Sequence, residues 1–241
     1  MNAVVVIPAR YGSTRLPGKA LADIAGKPLI QRVYERARES KLQSDVIIAT
    51  DDERIRDVCR SFGAPVAMTS PDCKSGTDRV FEAVKAVQAD IVVNLQGDEP
   101  QIRGDMIDTL IQAVEADGLD MATLCAYITD PHDYKSPHTA KVVLDRSGFA
   151  LYFSRAPLPF FQQSVSIPTY RHIGIYAFSR SFLETFVNLP VGPLERAESL
   201  EQLRALEGGY RIKVLLTDYE GIGVDTENDL RRVREMFTQQ G

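Results

Sequence analysis

The stretch that decides the fold begins with Val4-Val5-Val6-Ile7 and runs into a loop that ends at Gly18-Lys19. Consecutive β-branched residues without a charge predict a strand that is buried on both faces, as in a parallel sheet. Val46 to Ala49 and Ile91 to Leu95 repeat this pattern further along the chain. Because ligands bind beyond the carboxyl ends of the strands in such sheets, the loops after these strands are where a site is expected.

Apolar residues at helical spacing separate the predicted strands. They predict helices around Leu29 to Ala37, Ile55 to Phe62, Val80 to Val87 and Met106 to Val114. Strands and helices that alternate in this order predict an α/β fold with a doubly wound, mostly parallel sheet.

The pattern changes after about Leu119, where short strands are joined by proline-rich loops. We predict one domain over residues 1–241, in which residues 120–216 form a β-rich extension of the same sheet that covers the ligand cleft. The predicted elements of the second half are strands at Met121 to Tyr127, Ala140 to Asp145, Ile173 to Phe178 and Ile212 to Leu216, and helices at Pro193 to Glu207 and from about Thr226.

The composition excludes several classes of protein. The 241 residues are 44% hydrophobic and 25% charged, which is ordinary for a globular protein. The 28 Lys and Arg against 33 Asp and Glu give a net charge of -5, which argues against nucleic acid or an anionic membrane as partner. No apolar run approaches the roughly 18 residues of a membrane span, and no basic residue precedes the first apolar run, as it would in a secretion signal. The three cysteines lack metal-ligand spacing, so reduced thiols and a cytoplasmic location are expected.

The loop after the first strand carries two glycines and the cations Arg10, Arg15 and Lys19. Glycine permits close approach of the backbone to a ligand, and backbone amides with Arg and Lys can surround phosphate oxygens. The loop is not a Walker A motif, because Gly12 and Gly18 enclose five residues and not four. A solvated connection is the alternative interpretation.

Two acidic residues are candidate metal ligands, and Asp98 lies where a parallel sheet presents side chains to a ligand. Asp98 follows the third predicted strand, and Asp225 precedes the last predicted helix. Mg²⁺ is commonly held by one or two carboxylates together with substrate phosphates. The alternatives are a Gly-Asp turn at Asp98 and a helix cap at Asp225 or Thr226, and Ser75 and Asp78 likewise have capping-box spacing.

The charges are distributed unevenly. The first 22 residues contain three cations and no acid, whereas residues 217–229 contain five acids and no base. If the fold brings these segments together, one site has cations for a polyphosphate and carboxylates for a metal ion.

Other polar residues of the second half allow two interpretations. Glu195, Glu198 and Gln202 are spaced to lie on one face of a single helix, where a solvated surface is the usual explanation. His172 precedes an apolar strand, where a structural histidine is the default. Arg155 follows an aromatic strand and needs a partner, which could be an anionic substrate.

Taken in order, these stretches resemble the 3-deoxy-D-manno-octulosonate (Kdo) cytidylyltransferase family, the CMP-Kdo synthetases. The resemblance covers nearly the whole chain, except the loop from Gln162 to Thr169. The motifs that carry it are Ile7-Pro8-Ala9-Arg10-Tyr11, Arg15-Leu16-Pro17-Gly18-Lys19, Ala49-Thr50-Asp51-Asp52, Ser75-Gly76-Thr77-Asp78-Arg79, Asn94-Leu95-Gln96-Gly97-Asp98-Glu99-Pro100, Ala150-Leu151-Tyr152-Phe153-Ser154-Arg155, Arg171-His172-Ile173-Gly174-Ile175-Tyr176, Leu200-Glu201-Gln202-Leu203-Arg204 and Gly223-Val224-Asp225-Thr226.

The resemblance implies a cytoplasmic, homodimeric, Mg²⁺-dependent enzyme with a nucleotide-diphospho-sugar transferase fold. Such an enzyme joins CTP and Kdo to form CMP-Kdo and pyrophosphate for lipopolysaccharide biosynthesis, without nucleic acid or membrane insertion. By similarity, Arg10, Ser13, Arg15 and Lys19 bind the CTP phosphates. Ser75 and Gly76 lie near the cytidine, Asp98 and Asp225 hold Mg²⁺, and Lys19, Arg15, Asp98 and Asp225 are the catalytic residues. The sugar site would contain Gln96, Arg155, His172, Tyr176, Glu195, Glu198 and Gln202.

Two alternatives stay open at this point. One is a cytidylyltransferase for a related acid sugar, such as the 8-amino analogue of Kdo or a sialic acid. The other is a non-catalytic nucleotide-binding protein of the same fold, although the presence of Lys19, Asp98 and Asp225 disfavours it.

Overall fold

A computed structural model of the protein describes residues 1–13, 16–163, 165 and 167–239. Its strands are β1 (Ala3–Ala9), β2 (Asp23–Ile24), β3 (Lys27–Pro28), β4 (Gln43–Thr50), β5 (Val66–Met68), β6 (Ile91–Leu95), β7 (Met121–Tyr127), β8 (Lys141–Leu144), β9 (Ala150–Ser154), β10 (Tyr170–Ser179) and β11 (Lys213–Thr217). Its α-helices are α1 (Leu29–Ala37), α2 (Glu53–Ser61), α3 (Gly76–Ala83), α4 (Gly104–Asp117), α5 (Pro131–Lys135), α6 (Arg180–Asn188), α7 (Pro193–Glu198), α8 (Leu203–Glu207) and α9 (Glu227–Gln239).

A mixed sheet with the strand order β11-β7-β10-β6-β1-β4-β5 forms the centre of the fold. Within this order β10 runs antiparallel to both of its neighbours, while the other strands share one direction. β8 pairs with β10, and β9 pairs with β8, so both add antiparallel strands to the same sheet. The predicted mostly parallel mixed sheet is thus confirmed, and the limits of the extension over residues 120–216 stay a prediction.

Both faces of the sheet are covered, as the uninterrupted apolar run of β1 predicts. Val5 and Ile7 belong to a core cluster that contains Leu29 of α1 and Ile107 of α4. Val4 and Val6 point to the other face, where the second cluster contains residues of α3 and α6. None of the helices in the described part of the chain combines the length and apolar character of a membrane span.

The carboxyl ends of β1 and β6 lie side by side. The two strands are parallel, with Val6 opposite Asn94. The loop that begins at Arg10 therefore starts next to the loop that begins at Gln96, which places two of the predicted site segments at one edge of the sheet.

The single helix predicted from Pro193 to Glu207 is wrong. α7 ends at Glu198 because Ser199 adopts a left-handed conformation with φ of 51°, and α8 begins only at Leu203. Glu195 and Glu198 share α7, but Gln202 lies beyond the break and is buried. The three side chains therefore do not form one stripe on a continuous helix.

Candidate active site

A cleft of about 290 Å³ lies at the carboxyl ends of β1 and β6. It brings together residues from both ends and the middle of the chain. The site residues expected from the sequence that line it are Arg10, Ser13, Lys19, Ser75, Gly76, Gln96, Asp98 and Asp225. Arg15, which was expected to join them, lies outside the described residues.

Glycine in the basic loop places Lys19 in this cleft. Gly18 has a φ of 69°, and its amide donates to the carbonyl of Tyr11 at 3.1 Å, which closes the loop. A Cβ at Gly18 would lie 3.3 Å from the Tyr11 ring, so both the backbone angle and the space favour glycine. A short 3-10 turn, Lys19–Leu21, follows directly and holds the backbone of Lys19, from which the side chain extends.

The Lys19 ammonium lies between two carboxylates. Its Nζ donates to Asp98 Oδ2 at 2.8 Å and to Asp225 Oδ1 at 3.1 Å. Burial opposes the charge on Lys19, but Asp98 and Asp225 outweigh it and raise the pKa of the ammonium. The basic segment and the acidic segment of the sequence therefore meet at one point, as their opposite charges suggested.

The hydrogen bonds at the start of α9 show whether Asp225 or Thr226 caps this helix. The Thr226 hydroxyl accepts from the amide of Asp229, and the Asp229 carboxylate accepts from the amide of Thr226. This reciprocal pair is the capping box of α9. Thr226 is therefore the cap, and the Asp225 carboxylate reaches Lys19.

Ser75 caps α3, as its spacing to Asp78 predicts. The Ser75 hydroxyl accepts from the amide of Asp78 at 3.0 Å, and the Asp78 carboxylate accepts from the amide of Ser75 at 3.1 Å. Gly76, the first residue of α3, faces Gln96 and Pro8 across the cleft. Ser75 therefore both caps α3 and lines the cleft.

Glu99, the residue after Asp98, has a pKa that is changed by burial. Burial raises the pKa of Glu99 to about 7, and the negative charge of Asp98 adds to the effect. The Tyr219 hydroxyl donates to Glu99 Oε2 at 2.8 Å and partly opposes this rise in pKa. Glu99 could not be recognised in the sequence as a buried acid, because its burial depends on contacts with distant residues such as Tyr219.

Sequence reasoning also missed polar residues that join the cleft to the second half of the chain. Thr77 donates to Glu201 Oε2 at 2.6 Å and accepts from Asn94 at 3.1 Å. Gln96 donates to Asn94 at 3.3 Å. Burial raises the pKa of Glu201, and the bond from Thr77 opposes that rise. Their positions inside the motifs around Ser75, Gln96 and Gln202 were the available signal.

The hydrogen-bond partners of Arg155 are other residues of the protein. Its guanidinium donates to the backbone carbonyls of Glu198 at 2.8 Å and Pro137 at 3.0 Å, and the Glu198 carboxylate accepts from the amide of Arg155 at 2.9 Å. The fully buried Lys141 donates to the carbonyl of Arg155 at 2.6 Å, and burial lowers the pKa of this lysine. In the described part of the chain the Arg155 side chain thus bonds to carbonyl oxygens and forms no ion pair with a carboxylate.

His172 is held as a neutral ring. Burial lowers its pKa to about 3, and the ring packs against Phe153 and Tyr176 with centroid distances of 5.0 and 5.4 Å. The Thr123 hydroxyl lies 3.0 Å from His172 Nε2 and donates to the carbonyl of Ile175 at 2.7 Å. Because a hydroxyl has one proton, it accepts from Nε2, which assigns the Nε2–H tautomer and leaves Nδ1 as an acceptor.

Glu195 belongs to a buried ion pair. Arg204 of α8 donates to both of its carboxylate oxygens, at 2.8 and 2.6 Å. The side chains are only 12% and 7% exposed, and the contact ties α7 to α8 across the break at Ser199. The structure thus gives Glu195 a bidentate protein partner and does not test its expected contact with the sugar.

Comparison with known proteins agrees with this architecture. A cytidylyltransferase family model matches residues 4–212. The 3-deoxy-manno-octulosonate cytidylyltransferase of Geobacter sulfurreducens is 51% identical, covering 98% of this chain and 99% of that protein. The enzyme of the same name from Solibacter usitatus is 52% identical, covering 96% of this chain and 93% of that protein.

Solved structures give the same result. The structure of a CMP:2-keto-3-deoxy-manno-octonic acid synthetase complexed with CTP superposes with a TM-score of 0.96 at 45% identity and covers 100% of both chains. A 4-diphosphocytidyl-2C-methyl-D-erythritol synthase from Anaerococcus prevotii, at a TM-score of 0.67 and 14% identity, shares the fold. With full-length relatives at about half identity, this chain belongs to the family of 3-deoxy-manno-octulosonate cytidylyltransferases.

Proposed function

We propose that the protein transfers CMP from CTP to the anomeric hydroxyl of Kdo, releasing pyrophosphate and forming CMP-Kdo for lipopolysaccharide biosynthesis. The observation that carries the proposal is the contact of Lys19 with Asp98 and Asp225 at the carboxyl ends of β1 and β6. Full-length relatives with the corresponding name support the choice of nucleotide and sugar.

The basic side of the cleft is proposed to bind the triphosphate. Arg10, Ser13 and Lys19 line it, and Arg15 follows within the same loop. Ser75 and Gly76 at the start of α3 are proposed to lie near the cytidine. Charged hydrogen bonds from arginine and lysine to phosphate oxygens are among the stronger ones, so this loop suits a polyanionic substrate.

The two carboxylates fit a Mg²⁺ ion. The Lys19 ammonium group bridges Asp98 and Asp225, so their oxygens already converge on a cation. The described residues contain no cluster of three or more ligating side chains, but Mg²⁺ commonly takes one or two carboxylates and completes its shell with phosphate oxygens and water. When bound, Mg²⁺ would supply Lewis acidity at the α-phosphate and lower the pKa of a bound hydroxyl.

The reaction is an in-line displacement at the α-phosphorus. A bond forms between the anomeric oxygen and this phosphorus while the hydroxyl proton passes to water, the bond to the bridging oxygen breaks, and pyrophosphate leaves. Negative charge accumulates on the phosphate oxygens during this step. Lys19 and Arg15 are proposed to neutralise it, since a positioned cation in a water-poor site stabilises developing charge strongly.

The sugar is proposed to bind where β9, β10 and α7 meet. Arg155 would bind its carboxylate, because its guanidinium forms no ion pair with a carboxylate of the described residues. His172, held neutral by burial, would offer Nδ1 to a hydroxyl group. Gln96, Tyr176 and Gln202 complete the proposed surface, and Glu198 and Glu195 hold Arg155 and Arg204 in position.

A cytoplasmic homodimer is part of the proposal. The loop after β9 exposes several large apolar side chains, with Phe160 at 81% and Val165 at 53% exposure. Apolar side chains concentrated at one surface site favour burial against a second protein surface. A second copy of this chain is the proposed partner.

Pyrophosphate release tests the proposed function. The purified protein is incubated with CTP, Mg²⁺ and, in separate reactions, Kdo, its 8-amino analogue or a sialic acid. Release that requires CTP, Mg²⁺ and Kdo together, with formation of CMP-Kdo, is the expected result. Preference for another sugar would reassign the substrate, and absence of turnover with every sugar by folded protein would contradict the proposal.

A further inference from the structure

The segment that carries Asp225 has no regular secondary structure. It lies between the end of β11 at Thr217 and the start of α9 at Glu227. We call residues 219–225 the C-terminal arm. A carboxylate on such a segment needs external contacts to stay at a fixed distance from Lys19, because an irregular segment without them samples many conformations.

Three hydrogen bonds hold the arm against the loop after β6. The Tyr219 hydroxyl donates to Glu99 Oε2 at 2.8 Å, the amide of Ile222 donates to Gln101 at 3.0 Å, and the amide of Val224 donates to the carbonyl of Asp98 at 2.8 Å. The last bond joins Val224, the residue before Asp225, to the backbone of Asp98. Tyr219 is 3% exposed and Val224 fully buried, so water competes little for these contacts.

Arg171 of β10 also contacts the arm. Its guanidinium donates to the carbonyl of Tyr219 and, at 3.5 Å, to that of Gly221. Its charge also lies 5.8 Å from the centre of the Tyr219 ring. The reversed strand β10 thereby contributes directly to the position of Asp225.

The two glycines of the arm are explained by the same contacts. A Cβ at Gly221 would lie 2.1 Å from the Tyr219 ring, and a Cβ at Gly223 would lie 3.2 Å from Glu99 Oε1. Neither glycine has a left-handed φ that would require glycine for conformational reasons. Both leave room for the Tyr219–Glu99 bond.

We propose that Tyr219 and Arg171 are positioning residues that hold Asp225 opposite Asp98 and so set the affinity of the site for the metal–nucleotide complex. The inference rests on the proposed function, since it concerns the same carboxylates. Neither side chain is among the residues that line the cleft, so their effect passes through the arm.

The test compares Tyr219→Phe with Tyr210→Phe as a matched control. Both variants remove one hydroxyl, but Tyr210 packs against Phe182 in the second core cluster. Mn²⁺ serves as the probe, and free Mn²⁺ is measured by electron paramagnetic resonance in the presence of CTP and the absence of sugar. Loss of a buried hydrogen bond to a carboxylate is expected to weaken Mn²⁺ binding about tenfold in Tyr219→Phe. Tyr210→Phe is expected to bind like the original protein.

A double variant separates positioning from general loss of structure. Because Tyr219 acts through Asp225, Tyr219→Phe should weaken Mn²⁺ binding further by less than about twofold in an Asp225→Asn background. An equal additional effect in both backgrounds would overturn the inference. Arg171→Lys, which keeps the charge but loses the planar fork, is expected to weaken binding by an amount similar to Tyr219→Phe.

Amide hydrogen exchange gives a readout that needs neither metal nor turnover. In Tyr219→Phe the amides of Ile222 and Val224 should exchange about tenfold faster, because their opening costs one hydrogen bond less. Unchanged exchange and unchanged Mn²⁺ affinity would overturn the inference even if the protein makes CMP-Kdo. Faster exchange with weaker Mn²⁺ binding would uphold it even if Kdo is not the substrate.

Discussion

Asp98 from the middle of the sequence and Asp225 from near its end reach one ammonium group, and each contributes a single oxygen to Lys19. The proposed role of the two carboxylates therefore depends more on their negative charge than on their shape. A neutral amide of the same size could still accept a hydrogen bond from Lys19, but it could not balance a divalent cation.

Asp98→Asn is therefore expected to lower the rate by about a hundredfold or more while the protein stays folded. The measurement is turnover of CTP and Kdo at saturating Mg²⁺. Asp117→Asn, which changes an exposed acid at the end of α4, is the control and should turn over normally. Near-normal turnover of Asp98→Asn would remove Asp98 from the proposed metal site.

The neutral state of His172 has a consequence for stability in acid. Its pKa is about 3 in the folded protein against an ordinary value of 6.5, so the unfolded chain binds the extra proton between these pH values. The folded protein therefore loses stability as the pH falls through 6.5 towards 3. From pH 7 to pH 5 this one group accounts for about 2 kcal/mol.

His172→Gln should reduce the loss of unfolding free energy between pH 7 and pH 5 by about 1 to 2 kcal/mol. Urea unfolding at the two pH values measures it. The exposed His138 provides the control, since His138→Gln should leave the pH dependence as it is. An unaltered pH dependence in His172→Gln would show that the histidine is not held neutral.

At the scale of elements, α7 and α8 depend on the ion pair between Glu195 and Arg204. Removing Glu195 leaves the buried Arg204 with only the longer contact to Glu201 at 3.7 Å, so the loss is expected at the lower end of the about 3 to 5 kcal/mol that an uncompensated buried charge costs. Glu195→Leu is expected to lower the unfolding free energy by this amount in urea titrations. The double variant with Arg204→Met should recover most of it, and a single variant as stable as the original protein would contradict the assignment.

The sequence predicted most of these elements, and its failures have physical causes. Uninterrupted apolar runs identified the buried strands β1, β4 and β6, and apolar residues at helical spacing identified α4. The break at Ser199 was missed because a left-handed serine leaves no mark in the apolar pattern. The partners of Arg155 were missed because backbone carbonyls, unlike carboxylates, have no residue type that could be recognised in a sequence.

At the scale of the whole molecule, the meeting of the two oppositely charged segments was predictable. Charge asymmetry indicated which segments belong together, and the rule for parallel sheets indicated the edge at which they meet. The arm contacts were not predictable, because Tyr219, Glu99 and Arg171 lie in three separate segments and their juxtaposition depends on the reversed strand β10.

The proposed homodimer also belongs to this scale. Phe160→Asp introduces a charge at the most exposed large apolar side chain of the loop after β9, so burial of this side chain against a second copy becomes unfavourable. Sedimentation velocity should show a monomer for Phe160→Asp and a dimer for the original protein. Leu42→Asp, at an exposed apolar residue after α1, is the control and should remain dimeric. A dimeric Phe160→Asp would place the interface elsewhere.

The contact between Lys19 and Asp225 spans 206 positions of the sequence. Chains leave the ribosome from the N-terminus, so the phosphate-binding loop, β6 and Asp98 are made well before the C-terminal arm. A nascent chain that ends before residue 225 holds the ammonium group with only one of its two carboxylates. Completion of the cleft is therefore tied to completion of synthesis, and a truncated product cannot assemble both carboxylates around Lys19.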